Sequence, residues 1–281
     1  MLEATGITVR YGARAVLAQV DIAVRPGSVV AVIGPNGSGK STLLSVLTGE
    51  RPPDAGQALM DGTPLTQMSP RDLAGLRAVL EQTPARDVPY SAAVLATMGI
   101  PREVSPKGVQ DAVDKALAQV GMQALSHTRV DQMSGGEAHR AHLGRALAQL
   151  WAAHGLGGGR YLFLDEPTAS LDLKHQVAVL AAVRQAASEG AGVMVVLHDL
   201  SLAAAVADHI VLLSDGRVAA AGTPAEVMRP EVLQPVYGLD LHVVDIAGQL
   251  TIVPAVSAFE GRPLTSHARQ EIEDVRRNEP I

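Results

Sequence analysis

The chain has 281 residues, enough to bury a hydrophobic core as one large domain or as a domain with a subdomain. Its net charge of −6 and its 2% of aromatic residues exclude a basic, base-stacking surface for nucleic acid, and the absence of cysteine excludes disulfides and thiol chemistry. No signal peptide opens the chain, and aspartates and histidines interrupt its most apolar stretch, residues 193–213, so we expect no membrane span and any membrane role to come through a partner chain.

β-type patterning of apolar residues predicts strands over residues 2–33, interrupted by a glycine and by a Pro-Gly pair. The last of these strands, residues 29–33, is apolar throughout, as a buried strand would be. A helix follows as far as Gly49. The next predicted elements are a turn at residues 52–56 and strands near residues 57–60 and 78–81.

From about residue 84 to residue 133 the periodicity becomes helical, which predicts a helical insert. Apolar strands at residues 161–164 and 193–197 come next, each followed by a helix. This alternation predicts an α/β fold with a mainly parallel sheet. The remaining predicted segments are two short helices, a hairpin-like pair of strands at residues 241–246 and 249–253, and a solvated, disordered tail at residues 255–281.

The turn between the first buried strand and its helix has the pattern of a phosphate-binding loop, or P-loop. Its residues, with the helical residue that follows, are Gly34, Pro35, Asn36, Gly37, Ser38, Gly39, Lys40, Ser41 and Thr42. The glycines permit the turn, backbone N–H groups wrap the phosphates, and the helix N-terminus adds its positive end. Lys40 is expected to reach the outer phosphates and Ser41 to ligate Mg²⁺. The strand before and the helix after disfavour a chance glycine turn.

Two predicted strands end in side chains suited to hydrolysis. Asp165 and Glu166 close the strand at residues 161–164, and such strand ends open at the carboxyl edge of a parallel sheet, where ligands bind. Asp165 is suited to hold Mg²⁺ and Glu166 to polarise the attacking water. His198 ends the next strand, which would place it beside Glu166 as an orienting group. An ordinary acidic strand end and a structural histidine are the alternatives, and the P-loop disfavours both.

A second phosphate-binding element is predicted at Ser134, Gly135, Gly136 and Glu137, directly before a helix that extends to about Leu150. A serine N-cap followed by two glycines leaves N–H groups facing an anion. A simple cap and turn would explain the tetrapeptide alone. Its position between Gln82 and Asp165 favours the phosphate role, and a small-molecule kinase or GTPase would have no reason to carry it.

These residues, in this order, resemble the ATPase subunit of ABC transporters, and the match covers roughly residues 1–240. The resemblance implies ATP and Mg²⁺ as ligands. It further implies that Tyr11 stacks on adenine, that Gln82 senses Mg²⁺ and the γ-phosphate, and that His198 is the switch histidine. Ser170, Leu171 and Asp172 would form a loop across a dimer interface. An edge-strand tyrosine without a nucleotide role is the alternative for Tyr11.

The same resemblance implies the architecture and the assembly. A P-loop NTPase core with a RecA-like mixed sheet would carry an N-terminal antiparallel β subdomain and a helical subdomain at about residues 84–153, all within an ATPase domain at residues 1–254. The signature tetrapeptide and the P-loop would lie on different lobes. Each ATP would therefore be completed by Ser134, Gly135 and Gly136 of a second copy or of a homologue.

Transport follows from the resemblance as well. Two transmembrane permease subunits would dock around residues 85–98, with a periplasmic binding protein acting indirectly, and the chain would sit on the cytoplasmic face of the inner membrane. The segments at residues 149–160 and 171–176 most resemble ATPases of haemin importers. A ferric-siderophore or cobalamin importer is the alternative, and a soluble non-transport ABC regulator is an alternative of a different class.

The chain has nine histidines, which raises the question of direct haem binding. His139 and His142 share a helix face, but most such pairs are solvated surface residues, and ligation of haem or metal is not expected of them. Cargo is expected to pass through the membrane partners without touching this chain.

Overall fold

A six-stranded mixed sheet forms the centre of the computed structural model, which describes residues 1–169 and 171–255. The strand order is β10-β9-β3-β8-β7-β6, and every neighbouring pair is parallel except β9 with β10. The strands are β3 (Val29–Ile33), β6 (Arg77–Leu80), β7 (Tyr161–Asp165), β8 (Gly192–Val196), β9 (His209–Ser214) and β10 (Arg217–Gly222). The sequence pattern predicted neither β9 nor β10.

The central strands are apolar on both faces because two cores cover them. Leu162 and Leu164 of β7 belong to the core shared with the helices, whereas Tyr161 and Phe163 belong to the core shared with the N-terminal sheet. Alternate residues of a strand face opposite sides of its sheet, so an uninterrupted apolar run satisfies both layers. The buried strand predicted at residues 161–164 is therefore confirmed.

The N-terminal sheet is antiparallel, with the order β2-β1-β4-β5. Its strands are β1 (Leu2–Tyr11), β2 (Arg14–Val24), β4 (Ala55–Met60) and β5 (Thr63–Pro64). Together with helix α1 (Lys40–Leu47) it covers one face of the central sheet. The Tyr161 hydroxyl donates a hydrogen bond of 2.8 Å to Asp61 and so joins β7 to the turn after β4.

The other face of the central sheet carries helices. They are α3 (Ala92–Thr97), α4 (Pro106–Gln119), α5 (Gly135–His154), α6 (Leu173–Ser188) and α7 (Leu200–Val206), with short 3-10 turns at Gln123–Leu125 and Val130–Gln132. Helix α2 (Pro70–Leu76) and the 3-10 turn at Leu65–Gln67 instead pack Leu73 and Leu65 into the core shared with the N-terminal sheet. Helix α5 is longer than expected because it begins directly after its Ser134 cap and continues past Leu150 to His154. No helix within residues 1–169 and 171–255 is long and apolar enough to cross a bilayer.

The C-terminal part matches the predicted pair of helices and pair of strands. It consists of α8 (Pro224–Val227), α9 (Pro230–Tyr237), β11 (Leu241–Ile246) and β12 (Gln249–Pro254). The two strands form an antiparallel hairpin, and Ser201 Oγ of α7 accepts a 3.0 Å hydrogen bond from the Ile252 amide. The tail predicted at residues 255–281 lies, apart from Ala255, outside the described residues.

Candidate nucleotide site

Four neighbouring parallel strands end at the same edge of the central sheet, and each is followed by a predicted site residue. In the order β3, β8, β7 and β6, these are the P-loop, His198, the Asp165-Glu166 pair and Gln82. The register aligns Asp165 with Val196, two residues before His198. Parallel strands place their carboxyl ends side by side, and residues distant in sequence therefore meet at one crevice.

The P-loop has a backbone that only glycine fits at two positions. Gly34 has φ 146°, and a Cβ there would lie 2.2 Å from the Leu213 carbonyl oxygen. Gly39 has φ 104°, caps α1, and would place a Cβ 2.6 Å from a methyl group of Leu17. The loop is thus pressed against β2 and β9. The hydroxyl of Ser38, inside the turn, is buried without a hydrogen-bond partner.

The Lys40 ammonium group lies across the loop it belongs to. Its Nζ donates to the carbonyl oxygens of Gly34 at 2.8 Å and Pro35 at 3.0 Å. Burial lowers the pKa of Lys40, and the nearby carboxylates of Glu166 and Asp165 oppose this effect. A cation held here by two carbonyls is placed to exchange them for phosphate oxygens.

Asp165 has the features of a cation ligand. It is 5% exposed, and its Oδ1 is buried without a hydrogen-bond partner. Burial raises the pKa of Asp165, against the hydroxyl of Ser41 and the charge of Lys40, which lower it. An orphaned carboxylate oxygen next to a serine hydroxyl is a donor set that suits Mg²⁺, a hard cation that prefers oxygen ligands. The residues present therefore fit this ion.

Glu166 and His198 are in direct contact, as the sequence predicted for neighbouring strand ends. His198 Nε2 forms a short hydrogen bond with Glu166 Oε1. Glu166 has φ 51°, a left-handed conformation that is rare for residues other than glycine. Its amide donates to Val196 and its carbonyl accepts from Ala169, both at 3.1 Å. Hydrogen bonds at both its amide and its carbonyl therefore fix the Glu166 backbone and the direction of its carboxylate.

The predicted signature segment forms a complete capping box at the start of α5. The Ser134 amide donates to the Glu137 carboxylate at 2.9 Å, and the Glu137 amide donates to Ser134 Oγ at 3.4 Å. Glu137 therefore stabilises the first turn of α5 by completing the capping box with Ser134. Gly135 lines a cavity of about 200 Å³ together with Gln82 and Glu166.

Two predicted site residues lie at the periphery. Tyr11 is half exposed, and the Arg51 guanidinium stands 4.2 Å from the centre of its ring. Asp172 caps α6 by accepting a 2.9 Å hydrogen bond from the His175 amide, and its carboxylate also lies 2.7 Å from His175 Nδ1. Ser170, the first residue of that predicted loop, lies outside the described residues.

The expectation that His139 and His142 are solvated is wrong. Both are buried in α5, with Nε2 of His139 3.1 Å from the Pro167 carbonyl and Nε2 of His142 2.8 Å from the Ala85 carbonyl. Burial in the helical core overrides the polar character of the side chains once each has a hydrogen-bond partner.

Sequence reasoning also missed Tyr237 of α9. Burial raises the pKa of Tyr237 to about 12. A hydrogen bond with the Gly34 backbone lowers this pKa, and the hydroxyl therefore faces the P-loop. This contact joins residues 203 positions apart, and no local pattern in the sequence indicates it.

The strand, glycine loop and helix, together with the strand-end carboxylates and the second phosphate-type turn, define a P-loop NTPase of the cassette type. The profile described as "ABC transporter" matches residues 17–169. A solved structure described as the ATP-binding subunit of an ABC transporter aligns with a TM-score of 0.73 at 24% identity, covering 85% of this chain and 98% of that one. A dimeric bacterial ABC transporter cassette aligns with a TM-score of 0.69 at 22% identity, covering 80% and 99%. The predicted fold class is confirmed.

Curated relatives are closer in sequence than these structures. A hemin import ATP-binding protein, HmuV, of Rhodopseudomonas palustris is 41% identical over 251 residues, which cover 89% of this chain and 92% of the relative. A protein of the same name from Bordetella pertussis is 41% identical over 247 residues, covering 86% and 94%. The chain belongs to the ABC transporter family, in which it is an ATPase domain.

Proposed function

We propose that this chain binds and hydrolyses ATP with Mg²⁺ as the energising subunit of an ABC importer for haemin. The observation that carries the proposal is the convergence of the P-loop, Asp165, Glu166 and His198 at the ends of neighbouring parallel strands. The proposed ATPase domain comprises residues 1–254, and residues from about 84 to 153 form its helical subdomain.

The residues of the P-loop hold the triphosphate. Backbone N–H groups of the loop point at the phosphates, Lys40 exchanges its two carbonyl partners for outer phosphate oxygens, and Tyr11 stacks on adenine. Ser41, Asp165 and Gln82 would hold Mg²⁺. When bound, Mg²⁺ neutralises charge on the phosphate oxygens.

Glu166 acts on the attacking water. Its carboxylate accepts a proton as the water oxygen approaches the γ-phosphorus, and His198 keeps the carboxylate in place through its Nε2 contact. The left-handed backbone at Glu166 supports this role, since strain of this kind accumulates where a side chain must be aimed.

A second copy of the chain completes each site. Ser134, Gly135, Gly136 and Glu137 present the N-terminus of α5 to the ATP held by the partner's P-loop, and Asp172 lies at the junction of the two copies. Closure around ATP, followed by reopening after hydrolysis, supplies the mechanical stroke. The dimeric cassette of similar fold supports this arrangement.

Two permease subunits receive the stroke at the surface formed by residues 85–98. This surface contains a groove of about 550 Å³ and exposes Tyr90, Val94 and Met98. Exposed apolar residues beside a groove favour docking of a helix from a partner. The chain would be held in this way on the cytoplasmic face of the inner membrane, with the periplasmic binding protein on the other side.

Haemin is the proposed cargo because curated relatives that cover most of the chain, at about 40% identity, include hemin import ATP-binding proteins. The test is reconstitution of the chain with its co-purifying permease in lipid vesicles, followed by ATPase measurements. Binding protein loaded with haemin should stimulate turnover. Stimulation by a ferric siderophore or cobalamin instead would change the cargo, and hydrolysis indifferent to any permease would favour a soluble regulator.

A further inference from the structure

The side chain of His139 connects helix α5 to the loop that carries Glu166. It is 8% exposed, and its Nε2 lies 3.1 Å from the Pro167 carbonyl oxygen. A carbonyl oxygen can only accept a hydrogen bond, so Nε2 carries the hydrogen and donates it. Burial lowers the pKa of His139, and Arg86 adds to this effect while the Pro167 carbonyl opposes it. The ring is therefore a neutral donor at neutral pH.

The accepting carbonyl belongs to Pro167, the residue directly after Glu166, whose backbone is strained. Glu166 has φ 51°, and a residue other than glycine keeps such a conformation only where surrounding contacts hold it. The Glu166 amide donates a hydrogen bond to Val196 in the neighbouring strand β8. The Glu166 carbonyl accepts a hydrogen bond from Ala169 in the same loop. The bond from His139 comes from α5, a different structural unit.

Helix α5 begins at the segment assigned to the second copy's ATP. His139 is five residues after Ser134, which corresponds to about 7.5 Å along the helix axis at about 1.5 Å per residue. Hydrogen bonds along its backbone make this part of the helix one rigid unit. If the N-terminus of α5 moves toward the phosphate bound by the partner copy, His139 would therefore move with it and displace Pro167 and the backbone of Glu166.

We infer that His139 is a positioning residue that couples the two ATP sites of the dimer, so that ATP held by one copy aligns Glu166 of the other. The inference rests on the proposed function. Each site uses the P-loop of one copy and the α5 N-terminus of the other, so the linkage acts in both directions. ATP hydrolysis should therefore be cooperative, and the cooperativity should depend on the donor at position 139.

The test compares variants of the full chain by ATPase rate against ATP concentration and by ATP affinity from calorimetry. His139→Leu removes the donor and keeps the volume, while His139→Gln keeps a donor amide. We expect His139→Leu to lower kcat about tenfold, the effect of losing one buried hydrogen bond that positions the base. Its Hill coefficient should fall from near the limit of about 2 set by two sites toward about 1, with ATP affinity unchanged.

His142→Leu is the matched control, because His142 is equally buried in α5 and donates to the Ala85 carbonyl, away from Glu166. It should keep the wild-type Hill coefficient, and His139→Gln should restore both kinetic parameters. If His139→Leu does not fold, His139→Asn, whose amide is too short to reach Pro167, replaces it.

The inference is overturned by a wild-type Hill coefficient and kcat in the donor-less variant, by failure of folded His139→Gln to restore them, or by an equal loss in His142→Leu. Wild-type hydrolysis without cooperativity would also overturn it while leaving the ATPase assignment intact. A wild-type chain that does not hydrolyse ATP would remove the proposed function itself.

Discussion

Replacing Glu166 with glutamine separates hydrolysis from nucleotide binding. The amide keeps the length of the side chain but cannot accept a proton from water. A positioned general base contributes a factor of about 10²–10⁴, so the activation free energy should rise by about 3–5 kcal/mol. We expect steady-state hydrolysis to fall by that factor.

The fold should tolerate this change. The Glu166 side chain is 13% exposed and the His198 side chain is 45% exposed, and glutamine keeps an amide oxygen that can take the place of Glu166 Oε1 in their contact. The Glu166 carboxylate also faces Lys40 at the phosphate site, where its negative charge opposes that of ATP. Glutamine therefore retains ATP, and a closed dimer accumulates.

Phosphate release measures the rate, and light scattering with and without ATP measures the dimer. Glu103→Gln is the control, since Glu103 pairs with Arg71 on the exposed surface and should leave both readouts unchanged. Unchanged steady-state hydrolysis by Glu166→Gln would refute the role given to this carboxylate.

Three further changes test the phosphate and metal sites. Lys40→Ala should weaken ATP binding at least tenfold because a charge-assisted contact is lost, and equal affinity by calorimetry would contradict the assignment of the loop. Burial raises the pKa of Asp165, so its ionised form costs folding free energy and stability falls as pH rises through the native pKa. Asp165→Asn should accordingly raise the melting temperature of the ligand-free protein at pH 7 and should remove the extra stabilisation by ATP with Mg²⁺; a lower melting temperature would refute this reasoning. Gly34→Ala would bring a Cβ to 2.2 Å from Leu213 and should abolish ATP binding, whereas Gly121→Ala, which meets nothing within 4 Å, should cost only the left-handed strain of about 1–2 kcal/mol in urea unfolding. A folded Gly34→Ala variant with normal ATP affinity would contradict the tight fit of the loop.

The contact between Glu166 and His198 was predictable because it follows from chain order. Consecutive strands joined by a helix usually lie side by side, so the carboxyl ends of β7 and β8 meet. The same rule could not place β3 between β8 and β9, since that arrangement depends on strands more than 150 residues apart in sequence. It is this placement that brings the P-loop beside His198.

The phosphate loop, the serine cap at Ser134 and the apolar strands were determined by the sequence itself, because each depends on residues within about one turn or one strand of one another. Tertiary structure alone decided that His139 and His142 are buried donors and that Tyr237 faces the P-loop. A histidine or tyrosine satisfies its polar atom either in water or against a distant carbonyl or amide, and only the packing of the helices selects between them.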